Sequence, residues 1–256
     1  MMESIIEAII GLIALSVMEI VLGIDNIVFI AILTDKLPEE QRPKARRLGL
    51  AAALIMRLAL LCSLKAILGF TEPLFELTQL GIPESFVHDE HWLNAEVNAV
   101  SLRDLILFGG GLFLIKSSIR EIHHKLNKES EADSESKAAS FRGVLIQIAV
   151  MDIIFSLDSV ITAVGMVDDL TVMIISVIIA VGVMLIFSDR ISEFIRRQPT
   201  IKMLALSFLL LIGVMLVAEG IGTHIEKGYI YFAMAFSLIV EALNIRSSGQ
   251  AKSAAA

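Results

Sequence analysis

Glu19, Asp25 and Asn26 lie inside Ile5 to Leu33, a run that is otherwise almost wholly apolar. A carboxylate there must be paired, metal-bound or turned to water, because a bare charge away from solvent is costly. The stretch Val150 to Ile161 repeats the pattern. Met18, Glu19, Asp25 and Asn26 return as Met151, Asp152, Asp158 and Ser159, each 133 positions later. On a helix, residues seven apart come back to within about 20° of one another. Met18 therefore stands over Asp25 and Glu19 over Asn26, and Met151 stands over Asp158 and Asp152 over Ser159. Each copy presents one polar face, and two such faces opposed could surround one ion.

Four carboxylates, an amide and a hydroxyl offer oxygen ligands, which suit magnesium, calcium and manganese better than copper(I) or zinc. The thioethers of Met18 and Met151 would bias the site toward manganese(II) or iron(II) if they ligate; the alternative is plain packing. Four acids cannot all stay ionised in an empty low-dielectric cavity, so metal release is expected to be coupled to proton uptake.

Arg57, in the middle of a later apolar segment, has two readings: a counter-ion for the acids when no metal is bound, or a fixed ion pair. Glu219 and Glu241 are candidates for groups behind the ligands or on a proton path. Their positions near span ends also fit an interfacial role for Glu219 and snorkelling for Glu241. His88-Asp89-Glu90-His91 has metal-ligand residue types in a loop without the zinc-protease order. It is either a collector of cations or a solvated loop, and His123-His124 has the same status.

The elements that must position these groups are long helices. The chain has 256 residues, 56% hydrophobic and 19% charged, with a mean hydropathy of +0.78. That is beyond a soluble domain's apolar share and leaves no room for a soluble catalytic domain. Seven runs approach or reach the roughly 20 residues a bilayer-crossing helix needs: Ile5 to Leu33, Leu48 to Gly69, Leu102 to Ile119, Val144 to Met166, Leu170 to Ser188, Met203 to Gly222, and Tyr229 to Ile245. Cys62 is the single cysteine and can form no intrachain disulfide. The N-terminus lacks a signal peptide's basic region and cleavage site, so the first run is expected to be a retained span.

Lys and Arg gather in alternate connections: Asp35 to Arg47, Lys116 to Arg142, Arg190 to Lys202 and the tail after Arg246. By the positive-inside rule this places the N-terminus outside and the C-terminus in the cytoplasm. The net charge of -7 says less than this placement. An offset of three spans between the two acid motifs inverts one copy relative to the other, a recurring plan of secondary transporters. A weaker match, at an offset of 103, relates Gly110 to Gly213 and Lys116 to Glu219. The expected organisation is a first three-helix repeat (1–122), a polar linker (123–143), a second, inverted repeat (144–226), a seventh helix (227–246) and a disordered tail (247–256).

The acid motifs, with Leu206 to Gly213, Glu219 and Lys227 to Met234, resemble the TerC family of bacterial membrane proteins over nearly the whole chain. That family is named for tellurium resistance and is similar to the lysine-exporter superfamily. The resemblance implies an all-α, polytopic inner-membrane protein that exports manganese(II), with Glu19, Asp25, Asn26, Asp152, Asp158 and Ser159 as the ion site. The large cytoplasmic domain that some relatives carry after the last span has no counterpart here, and regulation by such a domain is not expected.

The combined expectation is a proton-coupled metal exporter working by alternating access. It would be no enzyme, have no permanently bound cofactor and no nucleic-acid partner, and sit in the lipid bilayer, alone or with copies of itself or other membrane proteins. Two rivals remain: a membrane scaffold of a metal or tellurium stress complex whose basic loops dock soluble partners, and an intramembrane aspartyl protease using Asp25 and Asp158. The protease lacks the Gly-x-Gly-Asp pattern and has no use for the acid six residues before each aspartate.

Overall fold

A computed structural model describes residues 2–63, 71–80, 99–126, 140–164, 167, 169–223 and 225–254, with the side chains of 2–5, 80, 158, 162 and 248–254 outside that description. Seven α-helices occur among the described residues: α1 (Met2–Thr34), α2 (Arg42–Cys62), α3 (Leu102–Leu126), α4 (Phe141–Val164), α5 (Leu170–Arg197), α6 (Pro199–Gly220) and α7 (Lys227–Ala254). Strands β1 (Pro73–Glu76) and β2 (Ala99–Ser101) form a small antiparallel ribbon with Phe75 opposite Val100. The chain is an all-α polytopic membrane protein. Helices α1, α4, α5, α6 and α7 are long and apolar enough to cross a bilayer. Helices α2 and α3 have 21 and 25 residues, but Arg46, Arg47 and Arg57 dilute the first and Arg103, Asp104 and Lys116 the second. Helix α3 continues through His123 and His124 to Leu126, and α7 runs on past Ser247 to Ala254.

Local chemistry sets several helix ends. Proline opens α2 and α6, where its missing N–H is no loss. The Asp169 side chain accepts the Thr171 N–H at 2.8 Å and caps α5. Helix α6 stops where Gly222 takes φ 85°, with Thr223 N–H donating to Ala218 O and Gly222 N–H to Glu219 O. These two bonds close a Schellman turn, and only glycine enters that backbone region without a Cβ clash.

Ion pairs identify one end of the bundle. Lys36 meets Glu121 at 2.6 Å, Lys202 meets Asp35 at 2.6 Å, Arg46 meets Asp189 at 2.8 Å and Arg196 meets Glu39 at 3.1 Å. The end of α1, the starts of α2 and α6, and the ends of α3 and α5 therefore lie together. The opposite end holds the Arg103–Glu219 pair at 3.7 Å.

Helix pairing follows a pattern. Helix α3 packs most extensively against α6, α1 against α5, and α2 against α4. Exchanging α1, α2 and α3 for α4, α5 and α6 turns α1·α5 into α4·α2 and returns α3·α6 to itself. The α3·α6 crossing is reciprocal in detail. A Cβ on Gly111 would stand 2.6 Å from Gly213 O and 2.8 Å from Val217 N, whereas one on Gly213 would stand 3.1 Å from both Gly111 O and Ile115 N. These relations interchange under a shift of 102 positions, one fewer than the sequence match of Gly110 with Gly213. Each residue of an α-helix turns by about 100°, so only packing selects which of three consecutive glycines faces α6. Gly110 faces Ile154 of α4, and Gly109 has nothing within 4 Å.

Candidate functional site

Arg57 is the centre of the site. Its guanidinium is buried, as are the carboxylates of Glu19 and Asp152, at 3%, 3% and 5% side-chain exposure. Arg57 Nη1 donates to Glu19 Oε2, and Arg57 Nε lies 3.6 Å from Asp152 Oδ1. Helices α1, α2 and α4 each contribute one of these groups. Taking such charges out of water is tolerable only when they neutralise one another.

The α4 side continues the hydrogen bonding. Ser156 Oγ donates to Asp152 Oδ2 at 3.2 Å, and Ser159 Oγ donates to Ser156 O at 3.3 Å. The repeated motif does not single out Ser156, although its position four residues after Asp152 puts it on the same face. Its counterpart in the first acid motif is Gly23, where a Cβ would strike the Met184 side chain of α5.

Beside the guanidinium lies a cavity of about 40 Å³, lined by Asp25, Arg57, Phe155, Ser159, Met215 and Tyr231 among others. Among the described residues, no ion pair or hydrogen bond reaches the Asp25 carboxylate. The cavity thus joins Asp25 of α1 to Ser159 of α4 across Arg57. Asn26 is buried next to Asp25 on α1, and the Asp158 side chain lies outside the described residues. Three acid, histidine or cysteine side chains do not converge into a metal-holding group among the described residues; Glu19 and Asp152 converge on the guanidinium.

Other candidates fall elsewhere. Met151 is 1% exposed in the main apolar core and Met18 packs against the cluster containing Leu15 and Leu157, so neither lines the cavity. Glu219 is buried at the opposite end of α6 and lines a separate cavity of about 420 Å³ with Arg103 and Asp104. Glu241 is half-buried on α7, where Asn244 Nδ2 donates to it at 3.4 Å. His123 and His124 are exposed at the end of α3, and His88 and His91 lie outside the described residues.

Met215 and Tyr231 are the cavity residues that sequence reasoning misses. Tyr231 comes from α7, the helix outside the repeat, and is one of 2 tyrosines in the chain. Its type and position within Lys227 to Met234 are the only signal for it. Met215, one helical turn before Glu219, has only a shared face to mark it.

Comparison with known proteins sets this geometry in a family. The model of the integral membrane protein TerC family matches residues 5–256. A UPF0053 protein of Haemophilus influenzae is 52% identical over 241 residues, covering 94% of each chain. The UPF0053 inner membrane protein YgdQ of Escherichia coli K12 is 48% identical over 231 residues, covering 90% of each. The inner membrane protein YoaE of the same strain is 48% identical over 235 residues, which make up 91% of this chain and 42% of that longer protein. No solved structure matches the chain.

Proposed function

The chain belongs to the TerC family of integral membrane proteins, and from that premise we propose that it exports a divalent metal cation, manganese(II) first among them, across the inner membrane. The observation that carries the reading is the buried guanidinium of Arg57, which holds one acid from each copy of the repeated motif beside a small cavity containing Asp25 and Ser159.

In this reading Arg57 is the counter-ion of the unloaded site. An arriving cation displaces the guanidinium from Glu19 and Asp152 and draws in Asp25, Asn26 and Ser159, with Asp158 completing the acid set. Because both copies contribute, a movement of one half against the other changes which side reaches the ion, and the exchange-invariant helix pairing supports such an inverted repeat. Protons taken up by the acids on release return the cycle. At the motif's offset of 133 the position of Arg57 falls on Arg190, which lies on α5 beyond the uncharged stretch Leu170 to Ser188. The N-terminus lies outside and the C-terminus in the cytoplasm, with seven spans. The cation is cargo; no covalent step and no resident cofactor enter the reading.

The scaffold alternative is weakened by the ion pairs at the basic end, where Lys36, Arg46, Arg196 and Lys202 are engaged within the molecule. Elemental analysis of manganese-challenged cells tests the proposal. Wild type is expected to lower cellular manganese, whereas Asp25→Asn and Asp152→Asn match the empty vector. Equal manganese in all four, with a stress phenotype retained, overturns it in favour of the scaffold.

A further inference from the structure

We propose that Met215 is the residue through which this site prefers a borderline first-row divalent cation over magnesium and calcium; the inference rests on the export reading above. Met215 is nearly buried and lines the same cavity as the Asp25 carboxylate and the Ser159 hydroxyl. Its neighbours in that wall, Ile212 and Leu216, are aliphatic, so α6 brings a single sulfur to a cavity whose oxygen-bearing side chains are Asp25, Ser159 and Tyr231. Met215 shares the apolar cluster of Met151, but of Met18, Met151 and Met215 only Met215 also lines the cavity.

Size and ligand type act in the same direction. A cavity of about 40 Å³ has the scale of a single water, whose share of liquid volume is about 30 Å³. An ion entering it must shed most of its hydration. Magnesium gives up water reluctantly and keeps to oxygen, and calcium requires about six to eight oxygens. A softer ion loses less when one position is filled by a thioether. The sulfur thus favours manganese(II) or iron(II) by filling a position that magnesium or calcium needs an oxygen to fill. The position 102 residues earlier on α3 is Phe113, which is exposed, so only one half supplies the sulfur.

The test uses the full chain in proteoliposomes loaded with a manganese-sensitive dye, with Mg²⁺ or Ca²⁺ in excess as competitor. Wild type is expected to carry Mn²⁺ with little competition. Met215→Leu, a volume-conserving change, and Met215→Gln, which offers an amide oxygen in place of sulfur, are expected to lower the Mn²⁺ over Mg²⁺ preference by about tenfold, the low end for one altered pocket contact. Met151→Leu is expected to keep the wild-type ratio. If both Met215 variants carry Mn²⁺ with the wild-type ratio, or if Met151→Leu changes it equally, the inference is wrong while export stands. If wild type itself moves no Mn²⁺, the export reading falls and this inference with it. X-ray absorption of the Mn²⁺-loaded protein gives a second readout: a sulfur neighbour present in wild type and lost in Met215→Gln supports the assignment, and its absence from wild type overturns it.

Discussion

Glu19 and Asp152, 133 positions apart in the sequence, are held by one guanidinium in the interior of the bundle. Neither acid could be buried at this depth without it, and Arg57 could not be buried without them. The arrangement is therefore one guanidinium shared by two carboxyl groups, supplied by three helices, and each member is a point at which it can be tested.

Arg57→Gln is expected to destabilise the protein by about 3–5 kcal/mol, the scale of leaving buried charges without a partner. Adding Glu19→Gln to that variant should recover part of the loss, because one of the two orphaned acids is then gone. Thermal unfolding in detergent micelles measures both. A single variant that melts with wild type would mean that the guanidinium does not hold the acids.

Gly111→Ala and Gly213→Ala should each cost about 1–3 kcal/mol. Their new Cβ atoms meet the backbone of the opposite helix, which cannot turn aside as a flexible side chain can. Gly109→Ala, on the same helix with nothing within 4 Å, should be neutral or stabilising by up to about 1 kcal/mol, the helix-propensity gain of alanine. Comparing the three melting temperatures separates the crossing from general intolerance of α3. A crossing of another register would reverse the order.

Asp169, at the surface end of α5, is held below the ordinary aspartate range by the Thr171 N–H that it caps. A lowered folded-state value means that the cap stabilises fully above the unfolded aspartate range of about 4 and that this contribution is lost as pH falls through the folded value. Asp169→Ala should accordingly lower the melting temperature at pH 7, and the gap from wild type should close in strong acid. Asp169→Asn, which still accepts the bond, should lie close to wild type at pH 7. A gap that does not change with pH would remove the cap from the account.

The acids themselves are legible in the amino-acid sequence. Glu19, Asp25, Asp152 and Asp158 are conspicuous because carboxylates in apolar runs must have a reason to be there, and their spacing puts each set on one helical face. Ser156 can be found on the same face by the same rule. Met215 and Tyr231 cannot, because a methionine or tyrosine in a bilayer helix is ordinary, and only the packing of α6 against α1 and of α7 against α6 brings them to the cavity. The same limit applies to Met18 and Met151. Heptad spacing places them over the aspartates, but the neighbours of α1 and α4 bury them in apolar clusters.

By itself, then, the sequence determined the helical class, the bilayer as solvent, the doubled acid motif and the clustering of basic connections. These follow from hydropathy and the helix period, which are local properties of the chain. Tertiary structure alone decided that Arg57 joins the two acids and that Gly111, rather than Gly110, meets Gly213. It also decided that the unrepeated α7 brings Ile230 and Tyr231 to the cavity wall. Each depends on the rotation of one helix about its axis relative to another, which is set by the summed packing of side chains from both and is written in neither segment taken alone.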